Sequence, residues 1–236
     1  MRNPLIKRKI FSFIFLISLL ISCSSKTKEI LNKDSLDNSL YTESINLPNL
    51  MKDLLEADQK LTPKKVNNID GSYFFRYKKR IGDDEMSINE IEKRISLGSD
   101  FFKNDRKNVR ELLTKLKQLK INNKLDKIDN GALGLWIPKR DLIIIDFKVV
   151  PMGSQIFNEI LSHESIHVAQ SCFTNSRKNF PQRIGLPLDF STDINLILSH
   201  EIYSNNSEEV INIEREAFTY SKIDGAAIKL LNRFCK

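Results

Sequence analysis

His163-Glu164-Ser165-Ile166-His167 is the stretch from which the rest of this 236-residue chain is read. Its imidazoles stand four residues apart, so on a helix they share one face, one above the other. Two imidazoles so placed can grip one Zn²⁺, and the carboxylate after the first can take a proton from water on that ion. The chain has only three histidines, and two lie in this pentapeptide. Pro151 and Gly153 break the chain ahead of it, and a helix is expected from about Ser154 through Cys172, with apolar positions Ile156, Ile160, Leu161, Ile166 and Val168.

Just upstream, two apolar runs, Leu133 to Ile137 and Leu142 to Ile145, flank Pro138-Lys139-Arg140-Asp141. Turn chemistry between two short apolar runs predicts a β-hairpin. Further back, Leu50, Leu54, Leu55 and Leu61 predict a helix over Leu47 to Leu61, with Pro48 suited to its first turn. Tyr73 to Tyr77 is an aromatic run that reads as a buried strand or a turn of core helix. Ser87 to Ile121 reads as helical. Ser87 and Glu90 resemble a capping box, and Val109, Leu112, Leu113, Leu116 and Leu119 recur at three- and four-residue steps. Downstream, Pro181, Gly185 and Pro187 mark a loop, then helices are expected over Thr192 to Tyr203 and Ser207 to Phe234. These elements give an α+β class, mostly helical, with a small sheet packed on the histidine helix. Residues 44–236 read as one domain, helical over 44–130 and carrying the metal site over 131–236.

The amino terminus has its own logic. Arg2, Lys7, Arg8 and Lys9 precede the apolar run Ile10 to Ile21, which has the length of a signal-peptide core. Leu20-Ile21-Ser22-Cys23 resembles the lipobox of bacterial lipoproteins. That resemblance implies cleavage after Ser22, a diacylglycerol on the Cys23 thiol, and a protein tethered to the cell envelope, facing the periplasm or the exterior. Acyl chains anchor by burying methylenes, at roughly 0.8 kcal/mol each. Residues 1–22 are then a signal peptide, and the polar residues 23–43 a flexible tether that cannot bury a core. Setting aside the four basic residues of that segment brings the formal charge from +7 to +3. No arginine-rich stripe with interleaved aromatics remains, which argues against nucleic acid as a partner. An oxidising compartment permits a disulfide between the two remaining cysteines, Cys172 and Cys235, stapling the last helix beside the histidine helix.

Two imidazoles do not close a zinc site, and a third protein ligand is needed. A third histidine six residues after His167 is absent, because Phe173 stands there. Glu214-Arg215-Glu216-Ala217 offers carboxylates on a later helix, beginning 51 residues after His163. The order of hairpin, HExxH helix, loop and glutamate helix resembles the gluzincin branch of the zincin metallopeptidases, over about residues 130 to 232. Val168-Ala169-Gln170 is similar to the continuation in small bacterial zincin-like proteins. Glu214 with Ala217 matches the family's spacing and implies Glu214 as the third ligand. Periodicity points the other way: residues 214 and 216 lie about 200° apart on a helix, and Glu216 shares the richer apolar face with Ile213, Tyr220 and Ile223. The family's orienting Asp, four residues after the glutamate, is replaced by Phe218, so another group must hold the imidazole.

The resemblance implies Zn²⁺ as cofactor and hydrolysis of peptide bonds, with Glu164 as general base. It implies an extended peptide or protein substrate lying against the strand Leu142 to Ile145, and a side chain stabilising the oxyanion, for which His200 and Tyr203 are candidates by type. The competing class is a non-catalytic envelope lipoprotein, either a zinc-binding pseudoenzyme or a protein-interaction module. Oligomeric state is not legible.

Overall fold

The computed structural model describes residues 44–78, 85–129, 131–200, 203 and 206–236. The signal segment, Cys23 and the polar stretch to residue 43 lie outside the described residues. Helix α1, Leu47–Leu61, has the expected bounds. Asn46 caps it by accepting from the Asn49 amide at 3.1 Å, and Pro48 sits in the first turn. Its stripe of Leu50, Leu54, Ala57 and Leu61 is buried, as is Asp58 on the same stripe.

Strands β1 (Lys64–Asn67) and β2 (Tyr73–Arg76) form an antiparallel hairpin. The aromatic run is therefore a strand, but not a buried one: Tyr73 is 51% and Phe74 46% exposed. Helix α2, Ile88–Leu97, is capped by Ser87, which accepts from the Glu90 amide at 3.2 Å. The Glu90 side chain pairs with Arg94 at 2.7 Å. The single helix expected over Ser87 to Ile121 is broken at Gly98, whose φ of 55° a side chain would resist. A 3₁₀ turn, Gly98–Phe102, redirects the chain into α3, Lys103–Gln118. Val109, Leu112, Leu113 and Leu116 are the buried stripe of α3, as their spacing requires.

Strand β3, Asn122–Asp126, has no counterpart in the sequence reading. It runs parallel to β5, Leu142–Asp146, with Asn122 opposite Leu142 and Asp126 opposite Asp146. Asn-Asn-Lys-Leu-Asp carries little β propensity, so this strand is held by the ladder and not by its own preference. Strand β4, Gly134–Ile137, pairs antiparallel with β5 as the hairpin predicts, and a 3₁₀ turn at Pro138–Arg140 joins them. The order is β3-β5-β4. This corrects one expectation: both sides of Leu142 to Ile145 are taken by neighbouring strands, so that strand has no free edge for a substrate. The strand on the edge toward the histidine helix is β4.

Helix α4, Ser154–Phe173, is the axis of the molecule. It packs against α1, α3, β4 and the last two helices. Residues on every face of its middle are buried, polar ones included, which is the signature of a central helix. Its amino terminus is held by Asp58, which accepts from the Ser154 amide at 2.8 Å and the Ser154 hydroxyl at 2.6 Å, and which also pairs with Arg106. The helix expected over Thr192 to Tyr203 is shorter: α5 spans Thr192–Leu198. The long last helix is two, α6 (Glu208–Ser221) and α7 (Ala226–Phe234), separated at Gly225 with φ of 69°. A disulfide joins Cys172, at the end of α4, to Cys235, just past α7. One apolar cluster runs from Leu50 and Leu54 on α1, through Trp136, Ile143 and Ile145 of the sheet, to Leu230 and Leu231 on α7. No helix among the described residues is long and apolar enough to cross a membrane.

Candidate metal centre

Helix α4 brings His163 and His167 to the same side, and α6 crosses them with Glu214. The two Nε2 atoms are 3.0 Å apart. Glu214 Oε2 lies 3.2 Å from His163 Nε2 and 3.4 Å from His167 Nε2. A tetrahedral Zn²⁺ with bonds of about 2.0–2.2 Å sets its ligand atoms roughly 3.3–3.5 Å apart. The three atoms thus already form nearly one face of such a tetrahedron, and the donor set of two imidazoles and a carboxylate suits zinc. All three side chains are buried.

Among the buried polar atoms with no hydrogen-bond partner are His163 Nδ1, Glu164 Oε2 and both oxygens of Glu214. Each such atom costs about 1–3 kcal/mol unless something satisfies it, and Glu214 Oε2 among them lies against both imidazoles. Burial favours a neutral Glu214, but His167 and His163 together outweigh it and hold the carboxyl well below its usual range. Burial likewise pulls His167 down, and the Glu214 carboxylate more than reverses this. His163 is lowered, chiefly by burial. His167 and Glu214 thus each favour the charged form of the other, and a divalent cation bound there would compete with the proton.

Glu164, next to His163 on α4, packs against β4. Burial pushes its carboxyl up to about 8, and the backbone N–H of Trp136 donates to it. Gly134 makes the room: a Cβ there would come within 2.6 Å of Glu164 Oε1 and 2.7 Å of its Cγ. The Trp136 indole N–H donates to Ser171 Oγ at 3.0 Å, which fastens β4 to the helix. Sequence reasoning missed this seat. The signal was a glycine inside an apolar strand run, which marks close approach by another group.

Glu216, the candidate that periodicity favoured, faces away from the histidines. Its carboxylate accepts from Gln170 Nε2 at 2.9 Å and from the backbone amides of Ile184, Gly185 and Leu186 at 2.9, 3.0 and 2.9 Å. Periodicity reports burial, and Glu214 and Glu216 are both fully buried, so it could not separate them. Phe218, in place of an orienting Asp, lays its ring 4.3 Å from that of His163. The group that meets His167 Nδ1 is instead Gln170, at 2.7 Å. Tyr203 is buried and packs on Phe218, with ring centroids 6.4 Å apart, while His200 is half-buried. Cys23 lies outside the described residues. Comparison with family models, curated proteins and solved structures finds no match for this chain.

Proposed function

We propose that the chain is a zinc-dependent, gluzincin-like metallopeptidase carried as a lipoprotein on the bacterial cell envelope. The observation that carries this reading is the convergence of His163, His167 and Glu214 within zinc-ligand spacing, with Glu164 one residue from the first ligand. Zinc held there supplies a Lewis acid that brings a bound water's pKa toward neutrality. The chain's own residues do the rest. Glu164 accepts the proton from the attacking water and returns it to the leaving amine. With its carboxyl raised to about 8 by burial, it is poised to exchange a proton near neutral pH, and the nearby cation would favour the charged form. An extended substrate would lie along β4, where the Trp136 amide already holds the base. The lipid on Cys23 would keep this chemistry at the membrane.

One observation favours a second reading, a zinc-binding pseudoenzyme. His163, Glu164, His167 and Glu214 are each at most 2% exposed, so a substrate reaches the centre only if the surrounding segments part. The two readings separate on one pair of measurements. Zinc content should be about one ion per chain and fall on His163→Ala. Proteolysis of a mixed peptide library should occur with the zinc-loaded chain and vanish in Glu164→Gln, which keeps its zinc. Zinc without proteolysis selects the pseudoenzyme, and proteolysis that survives Glu164→Gln removes the assigned base.

A further inference from the structure

On the reading that the centre holds a cation, we infer that Gln170 and Glu216 brace His167 from behind. They fix the tautomer whose Nε2 lone pair faces the cation, and they tie this ligand to the loop at residues 184–186. Gln170 Nε2 lies 2.9 Å from Glu216 Oε2 and 3.1 Å from the carbonyl oxygen of Ile213. Both partners only accept, so the amide must present its NH₂ to them. Its oxygen then faces His167 Nδ1 at 2.7 Å and can only accept. Nδ1 must therefore carry the proton, which leaves Nε2 free to ligate.

Glu216 anchors the brace. It is fully buried, and its four donors are the Gln170 amide and three successive backbone N–H groups. Gly185, with φ of 90°, gives the backbone the bend that turns Ile184, Gly185 and Leu186 toward one carboxylate. A four-donor buried carboxylate is costly to move, so the amide it orients is held rigidly. The other imidazole has nothing comparable: His163 Nδ1 has no hydrogen-bond partner among the described residues, and its ring rests on Phe218. The centre is thus asymmetric, with one imidazole fixed by a charged relay and one held by packing. Any movement of the 184–186 loop is felt at His167 first.

The test uses the full chain in its zinc-loaded form. ¹⁵N spectra of the wild type should show His167 protonated at Nδ1 with a slowly exchanging proton. Coordination of zinc through His167 Nδ1 overturns the inference without any variant. Gln170→Met removes both ends of the amide in a similar volume. Competition with a chelator should show its zinc affinity reduced about 10–100-fold, as for other groups that orient metal-bound imidazoles. The d–d spectrum of its Co²⁺-substituted form should shift as well. The double exchange Gln170→Glu with Glu216→Gln restores an acceptor for Nδ1 and should recover part of the affinity. Unchanged affinity and spectrum in Gln170→Met overturn the brace while leaving the metal centre standing, whereas a wild-type chain that holds no zinc overturns both.

Discussion

Glu214 and Glu216 stand two residues apart on α6, both fully buried, in opposite surroundings. Around Glu216 every oxygen has donors, supplied by a glutamine and a run of loop amides. Around Glu214 neither oxygen has a well-formed hydrogen bond, and its neighbours are the Nε2 atoms of His163 and His167, 3.2 and 3.4 Å from Oε2. A satisfied buried carboxylate is part of the scaffold. An unsatisfied one, set with two imidazoles around a common point, has the arrangement that could hold a metal ion. The same residue type thus does two jobs on one helix turn, and surroundings rather than burial tell them apart.

The sharpest way to break this contrast is to remove ligands. Structural zinc sites with four ligands are worth about 10–16 kcal/mol, so one ligand carries roughly 3 kcal/mol. Glu214→Gln should weaken zinc binding more than about 100-fold by chelator competition. An unchanged affinity would merge the two glutamates into one structural class. Next in size is the reverse experiment on the metal-free chain. Glu216→Ala strands three loop amides and should cost about 3–5 kcal/mol in denaturant unfolding, whereas Glu214→Gln, which strands no backbone amide, should cost less. Equal losses would contradict the division of roles.

A smaller effect comes from pH. Burial lowers His167, but the Glu214 carboxylate outweighs it and holds the imidazole at about 9, above its ordinary 6.5. Burial holds Glu164 at about 8, above its ordinary 4.5. A group raised on folding stabilises below its unfolded pKa and loses that contribution as pH rises through the folded one. Metal-free protein should therefore lose about 1–3 kcal/mol between about pH 5 and pH 9 in thermal unfolding. Zinc-loaded protein should vary less, because the cation has already displaced the His167 proton. The smallest expected effect lies far from the centre, in the β1–β2 hairpin. Phe74 is 46% exposed, so Phe74→Ser should change stability by under about 0.5 kcal/mol and leave zinc affinity as it is.

What the sequence showed and what it hid follow physical lines. Helix α1 was legible to the residue because its proline and its leucine stripe agree. The β4–β5 pair was legible from two apolar runs around a proline turn. Strand β3 was not, since its polar residues are strand only through pairing with β5. The breaks at Gly98 and Gly225 were hidden inside helical patterns, where a glycine signals only a cost until its φ is seen. The exposed hairpin was misread as buried because an aromatic run reports hydrophobicity and not location. At the site, the spacing of His163, Glu164 and His167 was plain. The choice between Glu214 and Glu216 was not, because it depends on which loop folds back onto α6. Gln170 entered the sequence reading as the end of the Val168-Ala169-Gln170 continuation and not as a partner of His167. Its contact with His167 needed the third dimension.

The most direct measurement is X-ray absorption at the zinc edge on the zinc-loaded chain, beside its Glu214→Gln variant. The account predicts two imidazole nitrogens and a carboxylate oxygen at about 2.0–2.2 Å in the wild type, with the site depleted of metal in the variant. A wild-type spectrum without imidazole scattering, or a variant whose zinc environment is the same as the wild type's, would contradict it.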